Sequence, residues 1–166
     1  LINEAGAKAI LSANGIICPV GVTCHTPTEL AKQAAHLIPP LVLKGLGAQH
    51  KSEKGFVVLG LTHADLSEHA FNMVNAQNFL VEEMVSAPIA ELLVGLQRDQ
   101  QYGIHLTVAS GGIMTELWRD SQSLILPVTR EAISAALERL QFAALLRGFR
   151  GRPVADQQSA VDQILA

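Results

Sequence analysis

The chain has 166 residues, of which 49% are apolar, only 16% are charged and 4% are aromatic, with a net charge of −3. That balance gives no basic footprint for nucleic acid, and no apolar run approaches the ~18–20 residues that cross a bilayer. Two cysteines, Cys18 and Cys24, make no disulfide framework. A chain that opens on Leu1 reads as a fragment of a longer polypeptide, and without a recognisable signal peptide the expected compartment is the cytoplasm.

Asn3 is placed to cap a first helix that carries Ile10 and Leu11 and stops at Asn14-Gly15. "IICPVGVTC" follows as an extended piece. "TPTE" at 26–29 predicts a helix start, with Thr26 as cap, Pro27 in the first turn and Glu29 closing a capping box. That helix would show Leu30, Ala31, Ala34 and Ala35 on one side and end at Pro39-Pro40. "LVLKGL" (41–46) and "GFVVLGL" (55–61) read as buried strands because their apolar runs are nearly continuous.

Asp65 and Glu68 open a further helix with Leu66, Ala70, Phe71 and Val74 at helical spacing, and "FLVEEMV" (79–85) is a strand ending in acids. "AELLVGL" (90–96) and "GIHLTVA" (103–109) form two strands joined by the polar turn "QRDQQY", and "SLILPV" is another strand. Thr129 caps a helix bearing Ala132, Ile133, Ala136, Leu137 and Leu140. "RGFRGRP" is a basic, glycine-rich loop, and the tail from Asp156 is helical. Strands joined by short polar turns favour antiparallel sheets with helices on one face, an α+β fold.

The chain has no P-loop, no HExxH, and in "GLGAQH" no third glycine of a dinucleotide fingerprint. His63 and His69 are six residues apart and fall on different sides of a helix. Cys18, Cys24 and His25 could touch a metal, but two thiols in an apolar stretch are more often core. Lys44 interrupts a buried strand, which costs several kcal/mol unless an anion meets it. Three readings stand: a salt bridge with Glu82 or Glu83, a snorkelling edge lysine, or a cation for phosphate. His50, Lys51, Ser52 and Glu53 form either a solvated turn or a lid over an anion, with a histidine that could carry a phosphoryl group. Gly111 and Gly112 follow a strand, where they make either a tight turn or a close backbone approach to a ligand.

The order of these segments matters more than any one of them. The strand lysine, "HKSE", "VEEMV", "AELLVGLQRD", "GGIMTELWRD", "LPVTREA" and "GFRGRP" together resemble the ATP-grasp domain of NDP-forming acyl-CoA synthetases. The ADP-forming acetate–CoA ligases are of this kind and are related to the succinyl-CoA synthetase beta subunit. The resemblance runs from the first helix to about Asp156. It implies an ATP-grasp fold over 1–166: two α+β lobes with mainly antiparallel sheets, a hinge near 82–90, and truncation at the C-terminus.

The resemblance also implies a function. Phosphoryl would pass between a phosphohistidine and ADP or ATP, in the reaction acyl-CoA + ADP + phosphate = acid + CoA + ATP. Lys44 would contact the nucleotide phosphates, while Glu82, Glu83 and Val85 would line the adenine, and Glu91 would lie near the ribose. His50 would be a second phosphoryl carrier, with Lys51, Ser52, Gly111 and Gly112 around the phosphates. ATP or ADP, magnesium and CoA are the implied ligands. The CoA-binding and main phosphohistidine domains are expected on the same polypeptide or a partner subunit, with most magnesium ligands beyond this chain. The fragment alone is then expected to be inactive.

Several features depart from the family pattern. Lys54-Gly55-Phe56 replaces a glycine pair after "HKS", the Lys44–His50 spacing is short, and "ASGG" stands where "GLGG" is usual. Glu116 and Asp120 match motif acids without an assigned metal role. The alternatives are a non-catalytic nucleotide-sensing module or another ATP-grasp carboxylate ligase, the latter opposed by "HKSE" and "GFRGRP".

Overall fold

A computed structural model describes residues 2–47, 55–112, 115 and 120–166. The chain divides into two compact units, Leu1–Ser86 and Ala87–Ala166.

The first unit holds α1 (Glu4–Ala13), β1 (Gly21–Cys24), α2 (Leu30–Gln33), β2 (Leu41–Leu46), β3 (Val57–Leu61), α3 (Leu66–Asn72) and β4 (Asn78–Glu83). Its strands form one sheet in the order β1-β4-β2-β3, with every neighbouring pair antiparallel. Strand side chains alternate between faces. Leu41 and Leu43 of β2 and Phe79 and Val81 of β4 meet Leu30, Leu37 and Leu66 in one apolar core. Full burial of each large aliphatic stabilises by about 2 kcal/mol. The opposite face carries Lys44, Leu80 and Glu82, and α1 lies over it.

Local signals explain the ends of α1. The Asn3 side chain accepts a hydrogen bond from the Gly6 amide at 2.9 Å, and Asn14 closes the helix before Gly15, whose φ of +88° suits a residue without Cβ. Ile10 and Leu11 nevertheless stay exposed, and α1 buries none of its residues.

Other expectations need correction. "TPTE" starts a 3-10 turn over Pro27–Glu29 that leads into the single-turn α2, and Thr26 makes no capping bond. Its hydroxyl lies 3.2 Å from that of Thr28 instead. The helix stops before Ala35, so Leu30, Ala34 and Leu37 are buried while Ala35 faces out. β3 is one of the two edge strands, and Leu59 is 63% exposed where a buried strand was expected. α3 is short and packs through Leu66, Ala70 and, just beyond it, Met73; Phe71 and Val74 point outward.

The second unit holds β5 (Leu92–Asp99), β6 (Gly103–Ser110), β7 (Ser121–Ile125), α4 (Arg130–Arg139), α5 (Ala143–Leu146) and α6 (Gln157–Leu165). The antiparallel sheet runs β5-β6-β7, with the polar turn between β5 and β6 built on Asp99, whose carboxylate accepts from the Gln101 and Tyr102 amides. Leu106 and Val108 of β6 pack on Ile133, Ala136, Leu137 and Leu140 of the α4 region, with Phe142, Leu146 and Val161 closing the core. Thr129 caps α4 through the Ala132 amide at 3.2 Å, and Asp156 caps α6 through the Ser159 amide at 2.9 Å. The basic, glycine-rich loop "RGFRGRP" contains a short 3-10 turn over Phe149–Gly151, with Arg150 at a φ of +54° and its guanidinium over the Phe149 ring.

Candidate functional site

Lys44 and Glu82 sit on neighbouring central strands. The register pairs Val42 with Glu82 and Lys44 with Leu80, so Lys44 and Glu82 are diagonal neighbours on one face. The Lys44 ammonium lies 2.9 Å from Glu82 Oε2 and 2.5 Å from Glu4 Oε1 on α1. Lys8, one turn along α1, donates to Glu82 Oε1 and lies 3.5 Å from Glu4 Oε1. Four side chains therefore form a closed ring of two cations and two anions.

Burial sets their roles. Glu82 is only 3% exposed, and two ammonium groups meet its carboxylate there, as a buried acid requires. For Lys44, burial works to lower the pKa, but hydrogen bonds and charge from Glu4 and Glu82 outweigh it and raise the pKa above the ordinary 10.5. The ammonium thus stays charged through neutral pH. Beside the ring opens a hollow of about 200 Å³ lined by Lys8, Ser12, Cys18, Gly21, Thr23 and Glu82.

Of the three sequence readings of Lys44, the salt bridge to Glu82 is present. Glu83 takes no part in it. Its carboxylate accepts from the Ile38 amide at 2.9 Å, and its own amide donates to the Val20 carbonyl at 2.9 Å. The next amide, of Met84, donates to the Pro40 carbonyl at 2.9 Å, and Pro40 has no N–H to return. The strand pairing ends there, and Val85 emerges 66% exposed.

In the second unit, Glu91 lies against Gly111 and Gly112. The Gly111 amide donates to the Glu91 carbonyl at 2.7 Å, and a Cβ on Gly112, which has a φ of +62°, would collide with the Glu91 carboxylate. Asp120 is buried in a structural role: its carboxylate accepts from the Gln141 amide at 2.6 Å, and its carbonyl from the Ser110 amide at 3.2 Å. His50, Lys51, Ser52 and Glu116 lie outside the described residues. Among the described residues, no three His, Cys, Asp or Glu side chains converge as a metal site, and no helix is long and apolar enough to cross a membrane.

Sequence reasoning missed Glu4 and Lys8. Their four-residue spacing on a helix was the available signal, because it puts both on one stripe.

These antiparallel sheets, their flanking helices and the strand lysine define an ATP-grasp architecture. Residues 1–166 match the family profile described as an ATP-grasp domain, and the chain belongs to that family. More narrowly, it resembles the ATP-grasp portion of NDP-forming acyl-CoA synthetases. It is 29% identical to an ADP-forming acetate–CoA ligase of Methanocaldococcus jannaschii, covering 98% of this chain but 25% of that protein. The beta subunit of an ADP-forming acetate–CoA ligase I of Pyrococcus furiosus is 27% identical, with 98% of this chain and 75% of the subunit covered. The chain thus spans about a quarter of the first curated relatives it matches. A solved acetyl-coenzyme A synthetase 1 of Ca. Korarchaeum cryptofilum, in complex with coenzyme A, Ca-AMPCP and HgCl+, superposes with a TM-score of 0.90 at 25% identity, over 98% of this chain and 76% of that one.

Proposed function

We propose that this chain is the nucleotide-binding ATP-grasp domain of an ADP-forming acyl-CoA synthetase of the acetate–CoA ligase type. The observation that carries it is Lys44: a charged ammonium on a central strand, one-fifth exposed, paired with the buried Glu82 and with Glu4. A fixed point charge of this kind suits non-bridging phosphate oxygens, because phosphoryl transfer depends on positioning and positive charge. The bound nucleotide and magnesium supply the transferable phosphoryl group and its charge neutralisation.

Lys44 then orients the phosphates, and Glu82 fixes its side chain. The backbone leaving β4 at Glu83 and Val85 is the proposed adenine contact. Glu91, Gly111 and Gly112 are the second unit's proposed contribution to nucleotide binding, and His50, Lys51 and Ser52 are the proposed phosphate contacts, with His50 the phosphoryl carrier. No described residue is assigned to magnesium. CoA-binding and phosphohistidine domains would be supplied by further polypeptide or a partner subunit, in the cytoplasm where these substrates occur. Coverage of a quarter of the single-chain ligases but three quarters of a beta subunit supports that division.

Calorimetry with ADP tests the reading. The chain should bind ADP, and Lys44→Met should weaken binding at least tenfold, about 1.4 kcal/mol. Equal affinity in both would remove the role of Lys44. In the full-length protein, acyl- and CoA-dependent ADP/ATP exchange should separate this function from a carboxylate–amine ligase or a sensing module.

A further inference from the structure

The ring around Lys44 contains one anion that can leave and one that cannot. The Glu82 side chain is 4% exposed and sits on the sheet, and stripping its cations would leave a buried charge unpaired. The Glu4 side chain is 29% exposed and sits in the first turn of α1, a helix with no buried residue. Water can take over the solvation of Glu4 at little cost. Lys8 already donates to Glu82 and lies 3.5 Å from Glu4. If Lys44 turned towards a new anion, Lys8 would keep Glu82 neutralised and could take Glu4 as well.

We infer that Glu4 is a competing internal anion: it occupies the place on Lys44 that a nucleotide phosphate takes, and so sets the affinity for nucleotide. This rests on the proposed role of Lys44 and adds to it a positioning residue on α1. Phosphate binding exchanges the Glu4–Lys44 pair for a phosphate–Lys44 pair. The Glu4 carboxylate returns to water and to Lys8, and no proton moves. The first turn of α1 thereby loses the ion pair that joins Glu4 to Lys44 of β2 at 2.5 Å.

The test is a cycle of four chains titrated with ADP by calorimetry: parent, Glu4→Gln, Lys44→Met and the double variant. Removing the competitor should tighten binding about fivefold, the fold-change that corresponds to a partly exposed ion pair of about 1 kcal/mol. The gain should vanish in the Lys44→Met background, and hydrogen exchange in the first turn of α1 should rise when ADP is added to the parent. Unchanged or weaker binding by Glu4→Gln, with Lys44→Met still impaired, overturns this inference and leaves the nucleotide reading intact. The same gain with and without Lys44 also overturns it, since the effect would not pass through that ammonium. Equal affinity of parent and Lys44→Met, or a parent that binds no ADP, removes the nucleotide reading and this inference with it.

Discussion

Glu82→Gln isolates the energetics of the ring. It keeps the shape of the side chain and removes the more deeply buried of the two anions that the lysines share. Lys8 and Lys44 would then divide Glu4 between them, leaving one unit of positive charge without a partner. Removing one side of a buried pair costs about 3–5 kcal/mol. The lysine side chains here are 23% and 20% exposed, so solvent screening reduces the figure. We expect about 2 kcal/mol, which at an m value of about 1.5 kcal/mol/M lowers the urea midpoint by about 1.3 M. Amide exchange on β2 and β4 localises the loss to the first unit. Glu83→Gln is the control: its carboxylate accepts the Ile38 backbone amide, an amide oxygen can do the same, and the change should stay within about 0.5 kcal/mol. Lys44→Met with Glu82→Leu should recover much of the lost stability, because apolar side chains replace the pair without orphaning each other. If Glu82→Gln unfolds within 0.5 kcal/mol of the parent (the spread of ordinary surface changes), the ring is not a buried electrostatic unit and the reasoning fails.

Further outcomes follow from the same geometry. Gly21→Ala would place a Cβ 2.8 Å from the Val81 carbonyl oxygen and 2.8 Å from Glu82 Cγ, so it should destabilise by about 1–3 kcal/mol in urea titration. Thr129→Ala removes the α4 cap and should cost about 1 kcal/mol, with Thr129→Ser largely restoring it. Lys44 binds its proton more tightly folded than unfolded. Its contribution is therefore intact below the ordinary 10.5 and is lost as pH rises through the raised folded value. Urea midpoints followed from about pH 9 to pH 12 should fall for the parent, and Lys44→Met should lack that component of the decline.

The sheets were legible because their causes are local. Leu41, Val42 and Leu43 make a run too apolar for a surface strand, and Asp99 builds the turn that joins β5 to β6. The α4 cap was legible for the same reason, since Thr129 and the Ala132 amide are three residues apart. What failed was tertiary. Nothing near Leu59 says that β3 lies at an edge, and nothing near Phe71 says that α3 turns it outward. The ring was half legible: Lys44 beside Glu82 was among the readings, but Glu4 lies 40 residues from Lys44 and Lys8 lies 74 from Glu82. Pairing at that separation depends on where α1 lies, which no local pattern encodes.

Lys44 also helps to specify the fold that places it. A one-residue slip of β2 against β4 would turn Lys44 into the core of Leu30, Leu66 and Val81 and turn Leu43 away from it. An ammonium there would meet no anion and cost several kcal/mol, so the lysine penalises the wrong register as well as serving the right one. Gly45 acts in the same sense from the other face. A Cβ on it would collide with the Phe56 ring, and its amide donates to the Phe56 carbonyl at 2.8 Å. Glycine lets the ring close over the core side of β2 while the neighbouring lysine points the other way. The interruption of an apolar strand by "KG" is therefore one arrangement with two consequences: a pinned register, and a cation delivered to a face where the buried Glu82 can hold it.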